Sequence, residues 1–225
     1  MPTSWQSRFA DRAEAGKALA GLLSEYAGRH DVVVLALPRG GVPVGYEVAE
    51  ALGAELDVFL VRKLGMPGHP EFAMGAIASG GVRVLSDDVI RMYGVSQDAI
   101  ERVARSEQAE LERREREYRQ NHPAVDVRGK IAILIDDGLA TGSTMKAAVQ
   151  AVRKLGPARV VVAVPVGAPS TCDEFSKVAD EIVCARTPEP FSAVGLWYYD
   201  FSQTTDAEVQ SLLAAHAKRL TGASQ

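Results

Sequence analysis

Our prediction of the fold starts from one segment of the chain, Ile131-Ala132-Ile133-Leu134-Ile135-Asp136-Asp137-Gly138-Leu139-Ala140-Thr141-Gly142-Ser143-Thr144. Five consecutive apolar residues predict a strand that is buried on both faces, as in a parallel sheet. Two adjacent carboxylates follow, and a small loop rich in hydroxyl groups then leads into a predicted helix over residues 141–155. Ligands of such sheets bind at the carboxyl ends of the strands, so this loop is the first candidate for a binding site.

The rest of the chain repeats this alternation of strand and helix. The alternation implies crossover connections and an α/β fold with a doubly wound, mainly parallel sheet. For the first helix we expect that Ala18, Leu22, Leu23 and Tyr26 form the buried side. The predicted strands cover residues 32–37, 56–64, 159–166 and 181–185, and the predicted helices cover residues 11–29, 42–52 and 170–179.

Two segments do not follow the alternation. Residues 97–120 form a long predicted helix that Ser96 caps, and its segment 101–119 contains six Glu and six Arg. Because these charges cancel and can pair at i, i+4, we expect a solvated helix or one that faces a second copy in a homodimer. Residues 191–201, which we call the hood segment, are rich in aromatics, and a final amphipathic helix is predicted over residues 206–220.

The composition is that of an ordinary soluble protein: 225 residues, 47% hydrophobic and 24% charged, with a net charge of −4. Without an excess of Lys and Arg, nucleic acid is not an expected partner. The longest apolar runs, 32–37 and 160–166, are too short to span a membrane. Cys172 and Cys184 complete neither a zinc site nor a disulfide framework, and no signal peptide is visible, so we expect a cytoplasmic protein.

The loop after residue 135 has the chemistry of a sugar-phosphate site. Gly138 and Gly142 let the backbone curl so that several N–H groups converge on one anion, and the following helix adds its positive end. Asp136 and Asp137 can accept bonds from vicinal ribose hydroxyls and help to hold a metal. The alternative is a turn in which Asp137 or Thr141 merely caps a helix. Neither a Walker loop nor a dinucleotide fingerprint is present.

Residues 133–145 resemble the 5-phosphoribosyl-1-pyrophosphate signature of the type I phosphoribosyltransferase family. The resemblance extends over about residues 10–215 and is nearest to a subgroup that brings no established acceptor with it. It implies that Asp136 and Asp137 contact the ribose 2′- and 3′-hydroxyls and help to hold Mg²⁺ through water. It also implies that the 5′-phosphate is bound by the loop residues Gly138, Leu139, Ala140, Thr141, Gly142, Ser143 and Thr144.

Two further loops match the family in the expected order. Arg39, Gly40 and Gly41 resemble its pyrophosphate loop, where backbone amides meet the diphosphate, often beside an unusual peptide bond. Arg62 and Lys63 resemble the basic position that the family places on the diphosphate, and residues 65–75 occupy the place of its mobile catalytic lid. The alternatives are a plain strand-to-helix turn for the first loop and a solvated strand end for the basic pair.

The hood segment lies where the family covers the nucleobase. By the resemblance, Trp197 or Tyr199 would stack on an acceptor base, and Asp200 would accept a hydrogen bond from it. Core or interface packing explains a row of aromatic residues equally well. Ala140 stands where the 6-oxopurine enzymes have an acidic residue, so the resemblance favours adenine- or pyrimidine-like acceptors over hypoxanthine and guanine.

These features predict a phosphoribosyltransferase that uses Mg²⁺ to transfer the 5-phosphoribosyl group from phosphoribosyl pyrophosphate to a small nitrogen heterocycle. We expect Asp136, Asp137, Arg39 and Lys63 to carry the chemistry. Two alternatives stay open: a regulatory module that binds phosphoribosyl pyrophosphate without turnover, and a hydrolase of a phosphoribosyl compound. We expect one domain over residues 1–225, with a core of about 10–185, the charged insertion at about 96–120, and the hood and final helix at about 186–220.

Overall fold

The computed structural model describes residues 8–120 and 122–222, and a parallel sheet lies at its centre. The described strands are β1 (Val32–Ala36), β2 (Glu55–Val58), β3 (Val61–Met66), β4 (His69–Ala78), β5 (Val82–Leu85), β6 (Ile131–Ile135), β7 (Arg159–Val166) and β8 (Glu181–Arg186). Five of them form the parallel sheet in the order β2-β1-β6-β7-β8, and β3, β4 and β5 form a separate antiparallel sheet. The expected α/β fold with a mainly parallel sheet is confirmed.

Helices cover both faces of the parallel sheet. They are α1 (Arg12–Leu22), α2 (Gly41–Leu52), α3 (Asp87–Tyr93), α4 (Gln97–Arg119), α5 (Ser143–Lys154), α6 (Pro169–Phe175) and α7 (Asp206–Gly222). Leu19 of α1 and Val48 of α2 pack with Ile133 on one face, whereas Phe175 of α6 packs with Leu134 on the other. Every residue of β1 and β6 is therefore buried, which explains their unbroken apolar sequence.

The expected strand over residues 56–64 is wrong, because two strands of different sheets occupy this range. β2 ends at Val58, and the backbone N–H of Phe59 donates to the carbonyl of Ala36 at 2.9 Å. β3 then pairs with β4, so residues 65–75, expected as a loop, form much of an antiparallel hairpin. The sequence conceals this break because Phe59 and Leu60 continue the apolar run and are buried.

Helix α1 differs from its prediction in length and in the face that it buries. It ends at Leu22, and a short 3-10 turn follows over Ser24–Tyr26. Leu23 and Tyr26 are buried as expected, but Ala18 is exposed and Leu22 is 53% exposed. The expectation for these two residues is wrong, because the helix packs on α2, β7 and β8 through the side that carries Leu19.

The long charged helix, α4, is capped as predicted, since the side chain of Ser96 accepts a bond from the N–H of Ala99. One of its faces is not solvated. The buried residues Ile100, Leu111 and Tyr118 pack in a cluster with the antiparallel sheet and α7. Arg113 and Arg114 lie on its exposed side, whereas Arg119 is largely buried and pairs with Asp57 of β2.

The two cysteines form a disulfide, a pairing that the sequence did not predict. The bond joins Cys172 of α6 to Cys184 of β8. Gly167 lies against it, because a Cβ atom added at this glycine would be 2.5 Å from Sγ of Cys172. The helix that follows β7 is therefore tied to the neighbouring strand.

Membrane-spanning helices need both length and apolar character. Among residues 8–120 and 122–222, none of the helices combines the two.

Candidate functional site

The loops that follow β1 and β6 lie side by side because these strands are neighbours in the sheet. The backbone N–H of Leu37 donates to the carbonyl of Ile135 at 2.8 Å, which extends the pairing to the start of both loops. The first loop contains a cis peptide bond between Pro38 and Arg39. The second carries the acidic pair, so two of the three loops chosen from the sequence meet at one edge of the sheet.

Gly40 and Asp137 mark a close approach between these loops. A Cβ atom added at Gly40 would lie 2.0 Å from Oδ2 of Asp137, and one added at Gly41 would lie 2.7 Å from the carbonyl oxygen of Ile135. Nonbonded atoms do not approach so closely, so both positions require the absence of a side chain. The backbone of the first loop therefore lies directly against the acidic pair.

Asp136 and Asp137 are half-buried and influence each other electrostatically. The backbone N–H of Asp137 donates to Oδ1 of Asp136 at 2.8 Å. Burial raises the pKa of the Asp136 carboxyl well above its usual range, and the neighbouring Asp137 charge raises it further. Burial also raises the pKa of Asp137, although the guanidinium of Arg12 opposes that rise. Carboxyl groups whose charge is so poorly solvated are typical of binding and catalytic sites.

Arg12 reaches the acidic pair from α1, and the sequence analysis missed it. Its Nε and Nη2 atoms each lie 2.9 Å from Oδ2 of Asp137, and Nη1 donates to the carbonyl of Ser202 at 2.7 Å. Its guanidinium carbon lies 4.1 Å from the ring centroid of Phe201. No local pattern could have identified this residue, because 125 positions separate it from Asp137.

Hydrogen bonds join the loop 138–144 to β7 and α6. The backbone N–H of Leu139 donates to the carbonyl of Val166 at 2.8 Å, and the hydroxyl of Thr171 donates to the carbonyl of Ala140 at 2.6 Å. These bonds hold the middle of the loop, so its shape does not depend on the loop residues alone.

The end of this loop presents hydroxyl groups at the start of α5. Gly142 has a φ of 69° and precedes the helix, a conformation that strongly favours glycine. The hydroxyl oxygens of Thr141 and Ser143 lie 3.3 Å apart, and both residues lie at the protein surface, as does Thr144. Accessible donors beside the positive end of a helix suit a phosphate group.

The basic residues of β3 point to different surroundings. Arg62 pairs with Glu107 of α4 at 2.5 Å and lies 4.0 Å from Glu110, so it faces the charged helix. Lys63 instead lines a groove of about 330 Å³ together with Ser143 and Thr144. The structure thus brings Lys63, and not Arg62, to the loop that follows β6.

The third basic candidate, Arg39, lies in the loop after β1. Its side chain is 36% exposed, and its Nη1 atom lies 3.9 Å from Oδ1 of Asp206.

The hood segment contacts the loop through residues other than the two aromatics chosen from the sequence. The hydroxyl of Tyr198 donates to the backbone carbonyl of Asp137 at 2.6 Å. A Cβ atom added at Gly138 would lie 2.4 Å from a methyl group of Val194, so the segment packs directly on the loop. Tyr199 is 76% exposed, whereas Trp197 is half-buried.

Two polar groups of the hood segment differ in whether they have a hydrogen-bond partner. The carboxylate of exposed Asp200 accepts a bond from the N–H of Ser202 at 2.9 Å, and this bond lowers its pKa. The indole Nε1 of Trp197 is buried and has no hydrogen-bond partner within the described part of the chain. A buried donor without a partner costs about 1–3 kcal/mol of stability.

The acidic pair offers the oxygen ligands that Mg²⁺ prefers. No group of three or more His, Cys, Asp or Glu side chains suited to a metal occurs among residues 8–120 and 122–222. Arg12 already engages Oδ2 of Asp137. The residues that could contact such an ion here are the two carboxylates, Asp136 and Asp137.

A parallel sheet with an acidic pair and glycine loops at adjacent strand ends defines an α/β protein whose candidate site lies at the carboxyl ends of its strands. The chain belongs to the phosphoribosyl transferase domain family, whose model matches residues 7–196. The expected family is thus confirmed.

Three proteins are similar to this chain to different extents. A Mycobacterium tuberculosis protein named "Putative phosphoribosyl transferase" is 49% identical over 91% of this chain and 46% of its own length. The crystal structure of TT1426 from Thermus thermophilus is 45% identical, has a TM-score of 0.82, and is matched over 92% of this chain and 98% of its own. A ribose-phosphate pyrophosphokinase of Pyrococcus furiosus is 37% identical over 32% of this chain and 27% of its own length. The chain spans about half the length of the M. tuberculosis relative.

Proposed function

We propose that this chain binds 5-phosphoribosyl-1-pyrophosphate with Mg²⁺ and transfers the phosphoribosyl group to a nitrogen heterocycle, with release of pyrophosphate. The observation that supports this best is the contact between Gly40 and Asp137, where an added Cβ would be 2.0 Å from the carboxylate. This contact places the loop after β1, which is suited to a diphosphate, beside carboxylates that are suited to a ribose. A single ligand that carries both groups fits this arrangement.

Each loop has a distinct part in the proposal. Asp136 and Asp137 accept hydrogen bonds from the ribose hydroxyls, and loop 138–144 with the start of α5 binds the 5′-phosphate. The amide of Gly40 meets the diphosphate, with Arg39 and Lys63 as cations beside it, whereas the N–H of Gly41 donates to the carbonyl of Leu37 at 3.0 Å. Mg²⁺, when bound, adds positive charge near the leaving diphosphate.

The reaction needs little covalent chemistry from the protein. Displacement at C1 of the ribose passes through a transition state with oxocarbenium character, as in other glycosyl transfers. Arg39, Lys63 and the loop amides stabilise the negative charge that develops on the diphosphate. Asp136 and Asp137 hold the sugar in one orientation, and the β3–β4 hairpin limits the access of water.

The hood segment supplies the candidate contacts to the acceptor. Half-buried Trp197 offers an aromatic ring on which a base could stack. Asp200 remains a candidate acceptor of a base N–H. Because Ala140 provides no carboxylate, adenine- or pyrimidine-like bases are proposed ahead of hypoxanthine and guanine.

One experiment separates this function from its alternatives. The protein is incubated with phosphoribosyl pyrophosphate, Mg²⁺ and a panel of bases, and both pyrophosphate and new nucleotides are measured. Nucleotide formation is expected. Pyrophosphate without nucleotide would mean a hydrolase, and saturable binding without either product would mean a regulatory module. Excess EDTA is the matched control and should abolish tight binding, because the chain supplies few metal ligands of its own.

We also propose that the chain folds as one domain, forms a homodimer and is located in the cytoplasm. In a reducing cytoplasm the Cys172–Cys184 pair would be present as thiols. Thiol labelling of protein released under denaturing, acid-quenched conditions would show which form the cell contains. Sedimentation would show the assembly.

A further inference from the structure

Arg12 lies at a fixed point of the fold, the first residue of α1. Asp11 caps this helix, because its Oδ1 atom accepts a bond from the N–H of Glu14 at 2.8 Å. The Arg12 side chain is 12% exposed, so its guanidinium is held inside the protein rather than in solvent. A charged group in such surroundings requires partners.

Its partners belong to two parts of the site. Nε and Nη2 each lie 2.9 Å from Oδ2 of Asp137, while Nη1 donates to the carbonyl of Ser202 at 2.7 Å. The planar group also lies over Phe201, at 4.1 Å from the ring centroid. Only a guanidinium can form this planar fork and stack at the same time, since a lysine ammonium is a point charge.

The geometry at Asp137 leaves part of the carboxylate available. Both Arg12 bonds end on Oδ2, so Arg12 does not engage Oδ1. The Oδ2 atom is also the one that a Cβ at Gly40 would meet at 2.0 Å, and that Cβ would be 3.3 Å from Nε of Arg12. Asp137 is thus confined between Arg12 and the loop after β1, which fixes the direction of its carboxylate.

We propose that Arg12 is a positioning residue for phosphoribosyl pyrophosphate: it orients the Asp137 carboxylate toward the ribose and couples it to the chain at Phe201–Ser202, where the hood segment ends. This inference rests on the proposed function. Arg12 itself touches no substrate in this arrangement. Its loss leaves Asp137 in place but free to rotate, and it loosens the connection between the acidic pair and the hood segment.

The test compares Arg12→Gln and Arg12→Lys with Arg8→Gln by calorimetric binding of phosphoribosyl pyrophosphate with Mg²⁺. Arg8 is a matched control, because it is an exposed arginine that lies 5.9 Å from the ring centroid of Tyr199 in the same hood segment. We expect at least a tenfold loss of affinity in Arg12→Gln, a smaller loss in Arg12→Lys, and no change in Arg8→Gln. Turnover should show the loss mainly in the KM for phosphoribosyl pyrophosphate.

A double-mutant cycle with Asp137→Asn separates positioning from general support of the fold. If Arg12 acts through Asp137, then Arg12→Gln adds little further loss of affinity to Asp137→Asn. Full additivity, or wild-type affinity in Arg12→Gln, would overturn the inference while leaving the proposed function intact. If Arg12→Gln does not fold, Arg12→Lys and its own cycle decide the question. A parent protein that fails to bind phosphoribosyl pyrophosphate overturns both proposals.

Discussion

The hydroxyl of Tyr198 donates to the backbone carbonyl of Asp137 at 2.6 Å, and this bond joins the hood segment to the loop that carries the acidic pair. Tyr198 is 3% exposed, and its ring lies near those of Phe9 and Phe201, with centroid distances of 5.7 Å and 5.1 Å. Burial raises the pKa of the hydroxyl, and the charge of Asp137 raises it further, so Tyr198 remains a donor. The position of the acidic loop is therefore set partly by a residue 61 positions away.

Tyr198→Phe should lower the free energy of unfolding by about 0.5–1.5 kcal/mol, the net value of one intramolecular hydrogen bond. It should also weaken the binding of phosphoribosyl pyrophosphate, because the Asp137 carbonyl loses its anchor. Urea unfolding and calorimetry measure the two effects. Tyr199→Phe is the control and should change neither, since Tyr199 is 76% exposed. Equal effects in both variants would contradict the assignment.

Asp136→Asn combined with Asp137→Asn should weaken the binding of phosphoribosyl pyrophosphate at least tenfold. Each lost charge-assisted bond contributes about 1.5–3 kcal/mol, and tenfold corresponds to about 1.4 kcal/mol. The fold should survive, because the amide oxygen of Asn at position 137 can still accept bonds from Arg12 and neither carboxylate belongs to the apolar core. Calorimetry is the measurement, with exposed Asp173→Asn as the control. Unchanged affinity in the folded double variant would refute the role of the pair.

Gly40→Ala should weaken binding of the same ligand at least tenfold, although it adds a single methyl group. The new Cβ would lie 2.0 Å from Oδ2 of Asp137, so the carboxylate or the loop must move. Gly21→Ala is the matched control, because a Cβ there meets nothing within 4 Å. The control lies within α1 and should gain about 0.5–1 kcal/mol of stability from helix propensity. Normal affinity in Gly40→Ala would mean that the close approach has no role in binding.

Trp197→Ala should raise the KM for the acceptor and leave the affinity for phosphoribosyl pyrophosphate nearly unchanged, because the two ligands use different parts of the site. Stacking of a base on an aromatic ring contributes about 1–3 kcal/mol. Steady-state kinetics with adenine- and pyrimidine-like bases, and with hypoxanthine, measure the effect. Tyr199→Ala tests the other aromatic in parallel. Efficient use of hypoxanthine, or lost phosphoribosyl pyrophosphate binding in Trp197→Ala, would show that the acceptor is misassigned.

Tyr118→Phe should make the free energy of unfolding less sensitive to a rise in pH through the alkaline range. Burial raises the pKa of Tyr118 to about 12, and its hydrogen bond to Asp206 of α7 adds to this effect. In the unfolded chain the hydroxyl loses its proton near its ordinary value of about 10. Between the unfolded and folded pKa values of Tyr118, the folded state therefore binds more protons than the unfolded state. The contribution of Tyr118 to stability is present below the lower pKa and is lost as the pH rises through the higher one.

The measurement is urea unfolding of the parent and Tyr118→Phe at pH 8.5 and pH 11. The stability advantage of the parent should be smaller at the higher pH. Tyr93→Phe is the control, because Tyr93 is 55% exposed on α3. An advantage that stays constant with pH would show that Tyr118 ionises equally in both states.

The parallel α/β fold and the position of the loop after β6 follow from local patterns in the sequence. Both depend on residues that are neighbours in the chain: the unbroken apolar run of β6, the acidic pair, the glycines, and the start of α5 at Ser143. Such local patterns set the backbone conformation directly, since burial on both faces permits only apolar residues in the strand. The loops after β1 and β6 were therefore recognisable before any contact between them was known.

Tertiary packing alone decided which side chains meet at the site. Adjacent residues of a strand face opposite sides, so the sequence could not tell that Arg62 pairs with α4 while Lys63 lines the groove beside Ser143. The same holds for Tyr198, which is buried, and exposed Tyr199 next to it. Arg12 and Asp137 are 125 positions apart, and their ion pair exists because α1 packs with α2 on one face of the sheet, against β7 and β8. Contacts of this kind depend on elements that are distant in the chain, and no local pattern records them.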